Sequence, residues 1–137
     1  MYLLDTNVVS ELRRARPHGA VVAWLKHCAS ESLHISAVTL GELQAGVEFT
    51  REQDPAKAIE IESWIERIGV TFKVVPLDGT VFRQWARIQH RRSYAIAQDA
   101  MIAATAEIHG FTVVTRNVRD FETLGAKTLN PFEYKKE

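Results

Sequence analysis

Within its first seven residues the chain sets a short apolar run, Tyr2-Leu3-Leu4, directly against the polar trio Asp5-Thr6-Asn7. A run of this kind, bounded by turn formers, reads as a buried strand, and here it ends on a carboxylate. Comparable runs follow at 32–36, 72–77 and 112–115, with an edge-like stretch at 126–129. Between them the apolar residues recur at helical spacing, over 7–14, 20–29, 38–49, 56–68, 79–92 and 100–109. Strands separated by helices imply βαβ units with right-handed crossovers and a parallel sheet. The expected fold is therefore α/β: three layers, α/β/α, around a central, mostly parallel sheet of four or five strands. Helices outnumber strands, so one helical pair, about 38–68, is expected to protrude as a lobe. At 137 residues the chain suits a single domain, 1–137.

Lys and Arg (17) balance Asp and Glu (17), so the molecule as a whole has no nucleic-acid signature and any such signal must be local. A lone cysteine, Cys28, excludes an internal disulfide and suits a reducing compartment. No signal peptide and no apolar run near the roughly 20 residues of a membrane helix is present, which points to a cytoplasmic protein without a membrane partner.

Four acids fall beside strand ends or helix starts. Asp5 follows the first strand, Glu42 lies early in the helix after the second, Asp99 opens the helix that feeds the fourth, and Asp120 follows that strand. Each has a structural reading as well: the aspartates suit N-caps, and Thr39-x-x-Glu42 has capping-box spacing. In a parallel sheet with right-handed crossovers, however, all four point to one edge, where open α/β sheets bind ligands. Clustered carboxylates raise one another's pKa unless cations compensate. An all-oxygen set without Cys or paired His selects hard ions, Mg2+ or Mn2+, which activate water and stabilise charge on a phosphodiester. There is no glycine-rich phosphate loop to hold a nucleoside triphosphate.

At this point four stretches become recognisable: Leu4-Asp5-Thr6-Asn7-Val8-Val9-Ser10-Glu11-Leu12, Ile35-Ser36-Ala37-Val38-Thr39-Leu40-Gly41-Glu42-Leu43, Asp99-Ala100-Met101-Ile102-Ala103-Ala104-Thr105-Ala106 and Val114-Thr115-Arg116-Asn117-Val118-Arg119-Asp120-Phe121. In this order, spanning the chain, they resemble the PIN-domain nucleases, specifically VapC-type toxins of bacterial toxin–antitoxin pairs and, among these, the FitB-like branch. The resemblance implies a Mg2+- or Mn2+-dependent endoribonuclease with Asp5, Glu42, Asp99 and Asp120 as the acidic pocket. It makes Asp5 and Asp99 the principal metal ligands, with Asn7, Thr115 and Asn117 as supporting pocket residues. It also implies a homodimer, able to pair into a tetramer, and a cognate VapB-like antitoxin whose C-terminal segment blocks the pocket. The chain departs from the branch before the third acid, where Ser93-Tyr94-Ala95-Ile96 stands in place of a Gly-x-Pro element.

For RNA contact the expected row is Arg83, Arg87 and Arg91, one stripe at helical spacing with Arg92 beside it. Arg13, Arg14 and Arg16 near the first acid, and Arg116 and Arg119 beside the last, would add a positive rim. Trp24, Trp64 and Trp85 occupy apolar helical positions and read as core, and His34, in an alternating run, as a strand-face residue. Two rival classes remain. Aspartyl phosphoryl transfer also uses acids at strand ends, but Asp5 has no second Asp two residues on and no lysine follows the fourth strand. A catalytically silent PIN-like binding module would keep the acids only to clamp a basic peptide.

Overall fold

The computed structural model describes residues 1–136; Glu137, within the expected domain span, lies outside the described residues. Five strands, β1 (Tyr2–Leu4), β2 (Leu33–Ser36), β3 (Lys73–Val75), β4 (Thr112–Val114) and β5 (Thr128–Leu129), form one sheet in the order β3-β2-β1-β4-β5. Every neighbouring pair is parallel, so the sheet expected to be mostly parallel is wholly so. Seven α-helices connect the strands: α1 (Thr6–Glu11), α2 (Gly19–His27), α3 (Ala37–Gln53), α4 (Pro55–Thr71), α5 (Gly79–Gln89), α6 (Ala97–His109) and α7 (Val118–Thr123).

Side-chain alternation along the strands divides the interior into two layers. Leu3 and Val113 face one way, packing with Val81 and Ile88 of α5, Ile102 and its small neighbours of α6, and Phe121 of α7. Leu4 and Val114 face the other way, against Val8, Val9, Val21, Trp24, Ile68 and Phe72. A one-residue slip of β1 would exchange its two leucines between layers, so burial on both faces fixes the register. Trp24 lies in the core as expected, and Trp64 and Trp85 pack against it. His34 is buried on its strand, its ring 4.5 Å from that of Phe111 in a stacked arrangement.

The register also aligns the strand ends. Leu4 sits opposite Ile35 on one side and Val114 on the other, so the next residues, Asp5, Ser36 and Thr115, emerge at one level. Successive connections move outward from β1 to β3 and then cross to β4 on the opposite side of β1. The order therefore reverses between β1 and β4, and a crevice opens at such a point, beyond the carboxyl ends of the strands.

The expected helical pair is α3 and α4, each 17 residues and each longer than its apolar pattern suggested. Val47, Ala58 and Ile65 form a small core of their own between these helices. Asp54 ends α3 and caps α4 through Lys57 N–H, with Pro55 at the first helical position. Two local expectations are corrected. Thr39 is not the N-cap of α3: Ser36 is, its hydroxyl accepting from Val38 N–H at 3.1 Å. And α5 stops at Gln89 rather than about 92, because His90 leaves the helical region and Arg91 takes a φ of 61°.

Phe121 is fully buried and Phe49 is 74% exposed. In urea titrations Phe121→Ala should cost about 3–5 kcal/mol, whereas Phe49→Ala should stay within about 0.5 kcal/mol.

Candidate active site

Asp5 leaves β1 at the reversal of strand order, and its backbone is tied across the seam: its N–H donates to the Val114 carbonyl at 2.9 Å. Its carboxylate is held at both oxygens. Oδ1 accepts from Thr6 N–H at 2.7 Å and Oδ2 from the Thr115 hydroxyl at 2.8 Å. Thr115, fully buried, in turn accepts from Asn117 N–H at 2.9 Å. Asp5 thus does cap α1, but the cap occupies only one oxygen. A carboxylate offers about four lone-pair sites, so both oxygens keep acceptor capacity toward the crevice.

Glu42 reaches the same place from the second turn of α3. It does not reach back to its helix terminus, as a capping-box glutamate would. Its Oε1 accepts from the Thr6 hydroxyl at 2.8 Å, and Thr39 Oγ1 lies 3.0 Å from that same hydroxyl. Since Thr6 spends its one proton on Glu42, the Thr39 hydroxyl must be the donor to Thr6. The relay Thr39 to Thr6 to Glu42 therefore ties α3 to the start of α1. Asp99 arrives in the first turn of α6, where a negative charge is favoured by the helix dipole, and caps nothing. Asp5, Glu42, Asp99, Asn7 and Asn117 line one cavity of about 510 Å3, with Arg13 and Arg14 on its rim.

Their electrostatics report this crowding. Burial, with Asp99 and Glu42 adding to it, pushes the Asp5 carboxyl up to about 6 against the pull of its Thr115 and Thr6 hydrogen bonds. Burial also raises Glu42, opposed by Thr6 and reinforced by Asp99. Asp99 is raised by burial and then by Asp120. Glu11, on the same wall, behaves oppositely. Burial pushes it up, but the His18 N–H at 2.9 Å and Arg14 at 3.3 Å outweigh this and hold it below the usual range. Glu11 is thus an ionised clip on the 12–18 loop, set apart from the three acids that resist ionisation.

Asp120 stands apart as well. It does not line the 510 Å3 cavity but borders two neighbouring ones, one of them shared with Asp99. Asp5, Glu42 and Asp99 feel one another's charge, and Asp120 acts on Asp99.

The arginines divide. Arg13 lies on the cavity wall. Arg116 lines the adjacent hollow with Asn117, Arg119 and Asp120, its guanidinium 3.8 Å above the Phe132 ring. The expected stripe of Arg83, Arg87 and Arg91 does not form. Arg83 and Arg87 lie on α5, where Arg87 donates to Gln84 at 3.0 Å, while Arg91 sits beyond the helix in a left-handed turn. None of the three lines the acid cavity. Thr6 and Thr39, which orient Glu42, are not among the residues the sequence marks for the site; their signal is position, Thr6 adjoining Asp5 and Thr39 one turn before Glu42.

The oxygen-only donor set fits a hard cation. Among the described residues no three His, Cys, Asp or Glu side chains already converge on one point.

Comparison with known proteins agrees with this architecture. The PIN domain family matches residues 2–127. A VapC ribonuclease of Sinorhizobium fredii is 37% identical, with 97% of this chain and 99% of the relative covered. Toxin FitB of Neisseria gonorrhoeae is 36% identical, covering 96% and 99%. The structure of FitAB bound to an IR36 DNA fragment contains a chain that superimposes with a TM-score of 0.83 at 33% identity, covering 100% of this chain and 99% of that one. With sheet order, strand-end acids and full-length similarity in agreement, the chain belongs to the PIN-domain family.

Proposed function

We propose that this protein is the toxin of a type II toxin–antitoxin pair, a divalent-metal-dependent endoribonuclease that hydrolyses RNA phosphodiester bonds. The observation that carries the reading is the convergence of Asp5, Glu42 and Asp99, from three separate elements, on one cavity where burial and mutual repulsion raise the pKa of each. Perturbed groups gathered in a cleft mark functional sites. The likeness to a VapC ribonuclease and to toxin FitB supports the same activity.

In this reading Asp5 and Asp99 hold the ion, Mg2+ or Mn2+, and Glu42 and Asp120 flank it. When bound, the ion supplies Lewis-acid stabilisation of the phosphate and lowers the pKa of water. The protein's own groups do the rest. Thr115 and Thr6 fix the plane of the Asp5 carboxylate. Glu42, with Oε1 engaged by Thr6, keeps Oε2 for the proton of the attacking water. Asn7 and Asn117 offer neutral donors at the rim, and the N-terminus of α6 favours the approach of a phosphate. Arg13, on the cavity wall, and Arg116, in the adjacent hollow, hold the RNA backbone as phosphate contacts do, without reading sequence.

The same charge arrangement suits inhibition. A cognate VapB-like antitoxin would close the cavity by placing a basic side chain of its C-terminal segment among the carboxylates, a strong charge-assisted contact. The toxin would act as a homodimer, pairing further in the complex. Among the described residues no helix is long and apolar enough to cross a membrane, in keeping with a cytoplasmic site of action.

With antitoxin-free protein, Mn2+ and RNA, Asp5→Asn or Asp99→Asn should reduce cleavage below detection while the far-ultraviolet circular dichroism stays native. Unchanged cleavage would refute the reading, and loss of folding in both variants would return these acids to a capping role. Thr115→Val removes a hydrogen bond to the proposed ligand rather than the ligand, and should lower metal affinity about 10- to 100-fold, read by titrating activity with Mn2+.

Stability should report the acids independently of RNA. The Asp5 proton binds more tightly in the folded chain, where the carboxyl titrates at about 6, than in the unfolded chain, near 3.8. The stability this contributes is fully present below about pH 4 and is lost, up to ~3 kcal/mol, as pH rises through 6. In chelator, Asp5→Asn should therefore melt above the wild type at pH 7.5, and the gap should narrow as pH falls and close below about pH 4. Adding Mn2+ at pH 7.5 should raise the wild type alone.

A further inference from the structure

Asp99 also borders a second cavity, of about 290 Å3. Arg92, Ser93 and Ile96 line it from the loop between α5 and α6, and Asp120, Thr123 and Leu124 from α7 and its end; Asp99 borders both this cavity and that of the acids. Its size is at the lower limit of small-molecule pockets, roughly 300 Å3, which admits a single heterocycle. Its walls pair apolar surface (Ile96, Leu124) with donors and acceptors (Arg92, Ser93, Thr123).

The loop that builds it is held in an unusual shape. Arg91 carries the only positive φ among the described non-glycine residues, 61°, a conformation uncommon for a long side chain. Gln89, 93% buried by its 7% exposure, holds the turn from beneath, its amide donating to the carbonyls of Arg92 at 3.1 Å and Ser93 at 3.0 Å. Among the described residues the side-chain oxygen of Gln89, Oε1, has no partner. Arg92 is then fixed across the cavity, donating to the Ile88 carbonyl and, at 3.3 Å, to the Thr123 carbonyl. Among the described residues it forms no ion pair. A guanidinium immobilised by neutral carbonyls keeps its positive charge and its remaining N–H donors for a ligand. The Ser93 hydroxyl caps the following turn through Ala95 N–H at 3.1 Å, and Tyr94 next to it stands 78% exposed. Strained backbone held in place from outside recurs at ligand sites.

We propose that this cavity is a base-selecting subsite, which receives the nucleobase next to the cleaved phosphodiester and so decides where in an RNA the enzyme cuts. It rests on the nuclease reading of the acid cavity. A phosphate over Asp5 and Asp99 leaves the adjoining nucleotide beside Asp99, and this cavity opens there. The base presents its acceptor edge to Arg92, the side chain most often used to read ring nitrogens and carbonyls, and lies between Ile96 and Leu124. Tyr94 gives the following base an aromatic face to stack on, a contact that adds affinity without selecting sequence.

The test is a randomised RNA window cleaved by antitoxin-free protein with Mn2+ and sequenced at the new 5′ ends. Wild type should enrich one base about tenfold at a position flanking the cut. Arg92→Gln, which removes the charge, and Thr123→Trp, which fills the cavity from an exposed position, should bring that enrichment to within about twofold of uniform while both still cut. Tyr94→Ala should raise KM and keep the base preference. A preference that survives intact in both Arg92→Gln and Thr123→Trp, or a wild type that cuts without regard to its flanking bases, would overturn the subsite and leave the nuclease reading standing. Should the wild type cut nothing, the nuclease reading fails, and the same pool retained on immobilised wild type and Arg92→Gln decides the subsite separately. Base selectivity lost in the variant supports it, and equal selectivity, or none in either, overturns it.

Discussion

Between β1 and β4 the sheet is joined twice, by the parallel ladder from Tyr2 to Leu4 and by Asp5, which continues it with one backbone bond to Val114 and one side-chain bond to Thr115. This seam is where strand order reverses in a sheet of order β3-β2-β1-β4-β5. The crevice and the acid that occupies it share one cause. A buried carboxylate is costly, yet here its oxygens are held by Thr6 N–H and the Thr115 hydroxyl, and without those bonds its pKa would rise further. The rest of the site is arranged around this fixed point: Glu42 through Thr6, Asp99 through its charge.

The register explains why three elements can converge with so little intervening chain. Because Leu4, Ile35 and Val114 are level, Asp5, Ser36 and Thr115 form a row, and each serves the site in a different way. Asp5 offers charge, Thr115 orients it, and Ser36 caps α3 so that Glu42 falls on the inward face one and a half turns later. Replacing an oxygen of this row with an apolar group would leave buried donors or acceptors unpaired, which gives the row a structural purpose besides any chemical one.

Much of this could be read from residue order, because the information was carried by periodicity and by chain polarity. Runs such as Tyr2-Leu3-Leu4 and Thr112-Val113-Val114 could bury both faces only in a covered parallel sheet, and acids that follow such strands must gather at one edge. What escaped were choices that depend on tertiary partners. Ser36 and Thr39 are both acceptable caps locally; the hydroxyl of Thr6, 33 residues before Thr39 in sequence, is what draws Thr39 inward. Arg83, Arg87 and Arg91 share a stripe only if the helix continues, and nothing local forbids that. It ends because the buried amide of Gln89 captures the carbonyls of Arg92 and Ser93, a competition no spacing rule records. Asp120, placed with the other acids by its position after β4, lines the cavities beside theirs, one of them with Asp99.

The raised pKa values bear on how such a site is controlled. Three carboxylates whose ionisation is opposed by burial and by one another hold free energy that any well-placed cation releases. A divalent ion and a basic side chain release it in the same way, and each excludes the other because both use the same oxygens. Competition between metal and a basic inhibitory segment thus requires no conformational change and no second site. Raising pH strengthens both by removing the protons they displace, so pH alone should not favour one strongly over the other. What distinguishes them is reach. With the ion held by Asp5 and Asp99 as proposed, a peptide crossing the crevice would also meet Arg13 on the cavity wall and Arg116 in the adjoining hollow, where acidic residues beside its basic plug would be attracted. A sequence that carries both charges in that order fits this mouth better than a purely basic one.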